Sequence, residues 1–158
     1  MSTLESLYQE LILDHNRTPL NYRVLENANR RVEGNNPLCG DRLVVWLKMD
    51  GDLIEDVSFQ GSGCAISKAS ASLMTSAVRG KSSGQARALF QQFHQLVTGS
   101  LTPERAQDLG KLVAFAGVSE YPIRVKCASL AWHAMNAALD APNSVVSTEY
   151  LLVPQTQR

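Results

Sequence analysis

Two strand-forming runs joined by a tight turn constrain the fold of this chain more than any other feature. Val44 to Met49 is rich in strand formers, and Leu53 to Phe59 carries apolar residues near every second position. Asp50-Gly51-Asp52 between them is a turn signal, so the two runs form a β-hairpin. Tyr22 to Val32 is a weaker candidate for a third strand, which would place Cys39 and Asp41 in the connection between strands. Gly61-Ser62-Gly63 closes the last strand and leads into Cys64.

On either side of the strands the apolar period becomes helical. Leu4, Leu7, Tyr8, Leu11 and Ile12 follow a Ser2/Glu5 capping box and predict a first helix ending near Asp14, with a loop from His15 to Pro19. Ala65 to Val78 is dense in small residues and stops at Arg79-Gly80, a helix with Cys64 at its entrance. Gly84 to Val97 and Thr102 to Phe115 both have helical periodicity, the second opened by Thr102-Pro103-Glu104. A last helix from Tyr121-Pro122 to about Leu139 places Ile123, Cys127, Leu130, Ala131 and Ala134 on one buried stripe. Helix, strands, then helices predict an α+β fold: a small, largely antiparallel three-stranded sheet packed against several helices, with an amino-terminal helix.

A chain of 158 residues suits one domain, placed at residues 1–141, with a carboxy-terminal tail at 142–158 that has no clear partner. Lysine plus arginine equals aspartate plus glutamate at 15 each, which argues against the broad basic footprint of a nucleic-acid binder. Glu5 and Glu10 interrupt the amino-terminal apolar residues, unlike a secretion signal, and no apolar stretch approaches the roughly 20 residues needed to span a bilayer. The expectation is a cytoplasmic protein with no membrane partner.

Three cysteines remain to be explained: Cys39 in Asn-Pro-Leu-Cys-Gly-Asp, Cys64 in Gly-Ser-Gly-Cys-Ala-Ile-Ser and Cys127 in Ile-Arg-Val-Lys-Cys-Ala. An odd count in a reducing compartment argues against a disulfide framework. With Asp41 two positions after Cys39, the four side chains could complete a tetrahedral metal site. On the residues alone the alternative stands beside it, since cysteine is also an ordinary small core residue and no Cys-x-x-Cys pair is present. Arg124, one helical turn before Cys127, is a candidate thiolate stabiliser or a solvated helix-start arginine. His15, His94 and His133 read as ordinary residues. His133 lies roughly 120° around its helix from Cys127 and should not share that site.

Taken together, Asn-Pro-Leu-Cys-Gly-Asp, Gly-Ser-Gly-Cys-Ala-Ile-Ser-Lys-Ala-Ser-Ala-Ser and Arg-Val-Lys-Cys-Ala-Ser-Leu-Ala-Trp resemble the iron-sulfur assembly scaffold superfamily typified by IscU and the amino-terminal part of NifU. Two departures bring the chain closer to the SufU branch. Lys126 stands where the IscU pattern has histidine, and an ammonium has no lone pair for a metal. The interval from Cys64 to Cys127 is also longer, with the extra length around Gly80 to Thr102. Glu-Tyr-Pro-Ile-Arg-Val-Lys replaces the segment through which IscU is recognised by its chaperone.

The resemblance implies a zinc-dependent sulfur acceptor, a sulfurtransferase-like accessory protein that takes persulfide sulfur from a SufS-type cysteine desulfurase. Pyridoxal phosphate would belong to that partner. Cys39, Asp41, Cys64 and Cys127 match the family's zinc ligands, and Cys39 matches the sulfur acceptor. Downstream partners would be iron-sulfur assembly proteins or apoproteins. The alternative is a scaffold that assembles and transfers a [2Fe-2S] cluster, with iron or the cluster in place of zinc. A blander reading is a structural zinc domain that only docks onto another protein.

Overall fold

A computed structural model of the chain describes residues 3–140 and 143–148. Helix α1 (Thr3–Arg17) precedes strands β1 (Arg30–Asn36), β2 (Asp41–Asp50) and β3 (Leu53–Ser62). Helices α2 (Ala65–Val78) and α3 (Ser83–Val97), two 3₁₀ stretches (Pro103–Arg105 and Gln107–Glu120), helix α4 (Pro122–Asp140) and strand β4 (Asn143–Ser147) follow. No described helix is long and apolar enough to cross a membrane.

The expected α+β fold is present. β1, β2 and β3 form the antiparallel sheet, and the β2–β3 hairpin turns where Asp50-Gly51-Asp52 predicts. The third strand lies later than the Tyr22 to Val32 expectation, because its inward positions are Val32, Gly34 and Asn36. Asp41 accordingly opens β2 instead of lying in the connection, while Cys39 does occupy that connection. The tail is corrected too: β4 pairs in parallel with β1, giving the order β3-β2-β1-β4. Its partner was hidden from sequence because a parallel edge pairing is non-local and leaves no turn signal.

Strand alternation aims the sheet at the helices. Leu43, Val45, Leu47 and Met49 of β2 are buried on one face, and Asp41, in phase with them, is buried there as well. Helix α4 crosses this face over β1, where a Cβ at Gly34 would lie 3.1 Å from Leu130 Cδ1. The missing side chain lets the helix approach closely. Trp132, Phe93 and Phe115 fill the core beneath the helices, with the Phe93 and Trp132 rings stacked at 4.9 Å.

Three further expectations change. Helix α1 continues to Arg17, and Ser2 of its capping box lies outside the described residues. The Thr102 to Phe115 helix is replaced by 3₁₀ stretches, broken where Gly110 takes a non-helical φ of 56°. Glycine is a poor helix former that reaches positive φ without steric cost, so periodicity alone overstated this helix. Ile123 is exposed in the first turn of α4, whose buried residues begin at Cys127. Helix α3 is opened by a complete capping box: Ser82 Oγ accepts from the Gln85 N–H, and Gln85 Oε1 accepts from the Ser82 N–H.

Candidate metal centre

The site forms where the β1–β2 turn meets the start of α4. Asn36 and Asp41 are the closing pair of the β1–β2 ladder, and Pro37 to Gly40 is the turn between them. The Cys39 and Gly40 N–H groups both donate to the Asn36 carbonyl, at 3.2 and 2.8 Å. Gly40 has a φ of 73°, the left-handed conformation that glycine adopts most easily, so the chain turns tightly just after Cys39. Cys39 is thus held, half-buried, in the turn beside the sheet's inward face.

From the helix side, Cys127 lies one turn before Leu130 and Ala131, both of which are buried. Its sulfur is 3.4 Å from Cys39 Sγ. Ligand atoms of Cys39, Asp41 and Cys127 all lie within 4.8 Å of one another. Cys64 stands outside that mutual set but adjoins it. As the residue preceding α2, it has extended backbone and no side-chain cap bond, and its N–H donates to Asp41 Oδ1 at 2.9 Å.

Electrostatics distinguish the sulfurs. A hydrogen bond from the Cys127 thiol, helped by the backbone N–H groups of Ser67 and Ile66, lowers the Cys64 pKa to about 6, against burial and the Asp41 charge. Cys127 is pushed up, first because its proton serves Cys64 and then because it is buried. Of the two, Cys64 gives up its proton more readily and Cys127 holds its own more firmly. Arg124 Nη1 is 4.0 Å from Cys127 Sγ, where the sequence reading placed it, and the cysteines raise its own pKa, the Cys127 hydrogen bond foremost.

Asp41 tests whether a metal belongs here. It is 1% exposed, and its two oxygens accept from the Cys64 N–H at 2.9 Å and from Asn36 Nδ2 at 3.0 Å. Both donors are uncharged, and among the described residues no cationic side chain pairs with this carboxylate. A buried carboxylate without a counter-ion is costly, and a cation placed among the sulfurs would relieve it. Thiolates with one carboxylate suit zinc in softness and number, and do not suit magnesium or calcium.

Asn36 escaped the sequence reading. It is fully buried, and its Nδ2 also donates to Cys127 Sγ at 3.4 Å. The available signal was an amide at an inward strand position, two residues beyond Gly34 and just before Pro37. In the sequence Gly63 stands out only as part of Gly61-Ser62-Gly63 at the close of β3. A Cβ there would overlap Asp41 Oδ1, so the missing side chain makes room for the carboxylate. The histidines lie elsewhere: His15 Nδ1 is hydrogen-bonded to Ser72 Oγ at 2.7 Å, and His94 and His133 pack around Phe90.

This fold and cluster define a class. The family model for the NifU-like N-terminal domain matches residues 7–140, and the chain belongs to that family, within the IscU/NifU scaffold superfamily. Its character is SufU-like. It is 43% identical over 134 residues to the zinc-dependent sulfurtransferase SufU of Bacillus subtilis (strain 168), covering 85% of this chain and 90% of the relative. The iron-sulfur cluster assembly scaffold protein IscU of Streptococcus pyogenes serotype M1 is 42% identical over 139 residues, covering 88% and 86% respectively. A crystal structure of SufU from Fervidobacterium islandicum AW-1, named as a candidate scaffold for the SUF system, superposes with a TM-score of 0.77 at 36% identity. That match covers 85% of this chain and 98% of that one.

Proposed function

We propose that this protein acts in iron-sulfur cluster assembly as a zinc-dependent sulfur acceptor, taking persulfide sulfur from a cysteine desulfurase of the SufS type. The observation that carries the reading is the pairing of a half-buried thiol in a tight turn, Cys39, with a buried carboxylate that lacks a cation, Asp41. Cys39, Asp41, Cys64 and Cys127 would hold the zinc. Bound there, zinc would keep the thiols deprotonated at neutral pH and tie the turn to α4.

In the transfer, the Cys39 thiolate attacks the outer sulfur of the desulfurase persulfide. The partner's S–S bond breaks, its electron pair leaves on the desulfurase thiolate, and a new S–S bond forms on Cys39. Atoms and electrons balance without an added oxidant. Leu38 and Ile123 are 57% and 55% exposed, the first adjacent to Cys39 and the second with its carbonyl 3.6 Å from Cys127 Sγ. Apolar side chains at that position give a partner surface to bury and shield the persulfide from water. Arg124 stabilises thiolate charge from the solvent side.

The experiment is native mass spectrometry of the protein purified without added metal, before and after incubation with the desulfurase and cysteine. Zinc and a single added sulfur on Cys39 support the reading, and Cys39→Ala should lose sulfur acceptance. Retained acceptance by that variant would overturn the assignment. A second reading, a scaffold carrying a [2Fe-2S] cluster on the same side chains, is supported by the similarity to the streptococcal IscU. It would show instead as poor zinc retention and a transferable cluster after anaerobic reconstitution.

A further inference from the structure

We propose that β4 carries a positioning residue for this site: Thr148 secures the Asn36 amide, and Asn36 in turn holds Asp41 and Cys127. The proposal rests on the metal-centre reading above.

Thr148 follows β4 directly and is 1% exposed. Its N–H donates to the Asn35 carbonyl at 2.9 Å, continuing the parallel ladder in which Asn35 faces Ser147. Its hydroxyl donates to Asn36 Oδ1, also at 2.9 Å. The other end of that amide, Nδ2, reaches Asp41 Oδ2 at 3.0 Å and Cys127 Sγ at 3.4 Å. The Asp41 carboxylate can only accept, so it dictates that Nδ2 faces the site. Oδ1 is then left buried and directed away from the site, and Thr148 is the partner that satisfies it. The amide is pinned at both ends.

This relay joins residues 112 positions apart in the chain. The family match ends at residue 140, so Thr148 lies beyond it, on a strand at the sheet edge. Groups that orient metal ligands through hydrogen bonds typically change metal affinity about 10- to 100-fold when removed. Thr148 acts through Asn36, which places it at the lower end of that range.

The test is zinc competition against a chromophoric chelator, with the full chain carrying Thr148→Val, Thr148→Ser, Asn36→Ala and the Thr148→Val/Asn36→Ala pair. Thr148→Val should weaken zinc retention about tenfold, Thr148→Ser should restore it, and Thr148→Val should cost nothing further once Asn36 is alanine. Unchanged retention in Thr148→Val would overturn the proposal. So would an equal loss with and without Asn36, which marks general weakening of the sheet edge. Thermal melts of the metal-free proteins verify folding. If the wild-type chain holds no zinc, the metal-centre reading fails separately, and alkylation of metal-free protein by iodoacetamide, mapped by peptide mass, decides the positioning claim. Faster Cys127 alkylation in Thr148→Val than in Thr148→Ser then supports it, and equal rates overturn it.

Discussion

Replacing Gly63 by alanine should damage the site without touching a sulfur. The added Cβ would overlap Asp41 Oδ1 and lie 3.0 Å from Asp41 Cγ and 3.1 Å from its Cβ. These are all atoms of one short side chain that is buried and held by two hydrogen bonds. It cannot swing aside as a long surface chain would. Either the carboxylate rotates and loses the Cys64 N–H, or the end of β2 shifts. Losing a hydrogen bond to a charged group costs about 1.5–3 kcal/mol, which corresponds to roughly 10- to 100-fold in zinc affinity. Overpacking in the metal-free protein costs about 1–3 kcal/mol, and each kcal/mol lowers the melting temperature of a chain this size by roughly 2–4 °C. Gly117→Ala is the control, since a Cβ there meets nothing within 4 Å. Chelator competition and melting curves should show the first variant impaired on both measures and the second on neither. Wild-type zinc affinity in Gly63→Ala would refute the claim that the position of the Asp41 carboxylate matters to the metal.

Other outcomes follow from the same physical picture. In metal-free protein Cys64, with its pKa lowered to about 6, should alkylate at nearly full rate at neutral pH and slow as the pH falls through 6. Cys127→Ala removes the largest cause of that lowering, so the rate profile mapped by peptide mass should move to higher pH. Burial lowers the His133 pKa from 6.5 to about 4, so the unfolded chain binds the proton more readily between these values. Its contribution to stability is therefore complete above pH 6.5 and is lost as the pH falls toward 4, by about 3 kcal/mol in all. Melting His133→Leu across this range should give a flatter curve than wild type, and an unchanged slope would contradict the assignment. Trp132→Ala empties a fully buried position against Phe93 and should cost about 3–5 kcal/mol in denaturant unfolding.

Local chemistry was enough to locate much of this molecule from its residues. The β2–β3 hairpin, helices α1 to α4 and Cys64 before α2 depend on periodicities and turn residues that act over a few positions. The three cysteine segments and Asp41 could likewise be singled out, because each has distinctive neighbours. What failed locally was the 3₁₀ region, where apolar periodicity persists across a glycine that breaks the helix.

Tertiary structure decided the relations among these parts. Sequence put Cys39, Asp41, Cys64 and Cys127 forward as one ligand set with Cys39 as the sulfur acceptor, while packing brings Cys39, Asp41 and Cys127 into one mutual set and makes Cys64 the low-pKa thiol beside them. Asn36 became part of the site because strand register turns it inward opposite Asp41. Thr148 joined it because a parallel edge pairing brings a strand from the far end of the chain alongside β1. The sequence by itself determined which elements form and which side chains can bind a metal, since propensity and donor chemistry are properties of a few adjacent residues. Which of those side chains meet, and which buried amide and hydroxyl hold them in place, depended on contacts between residues as many as 112 positions apart, which no local pattern encodes.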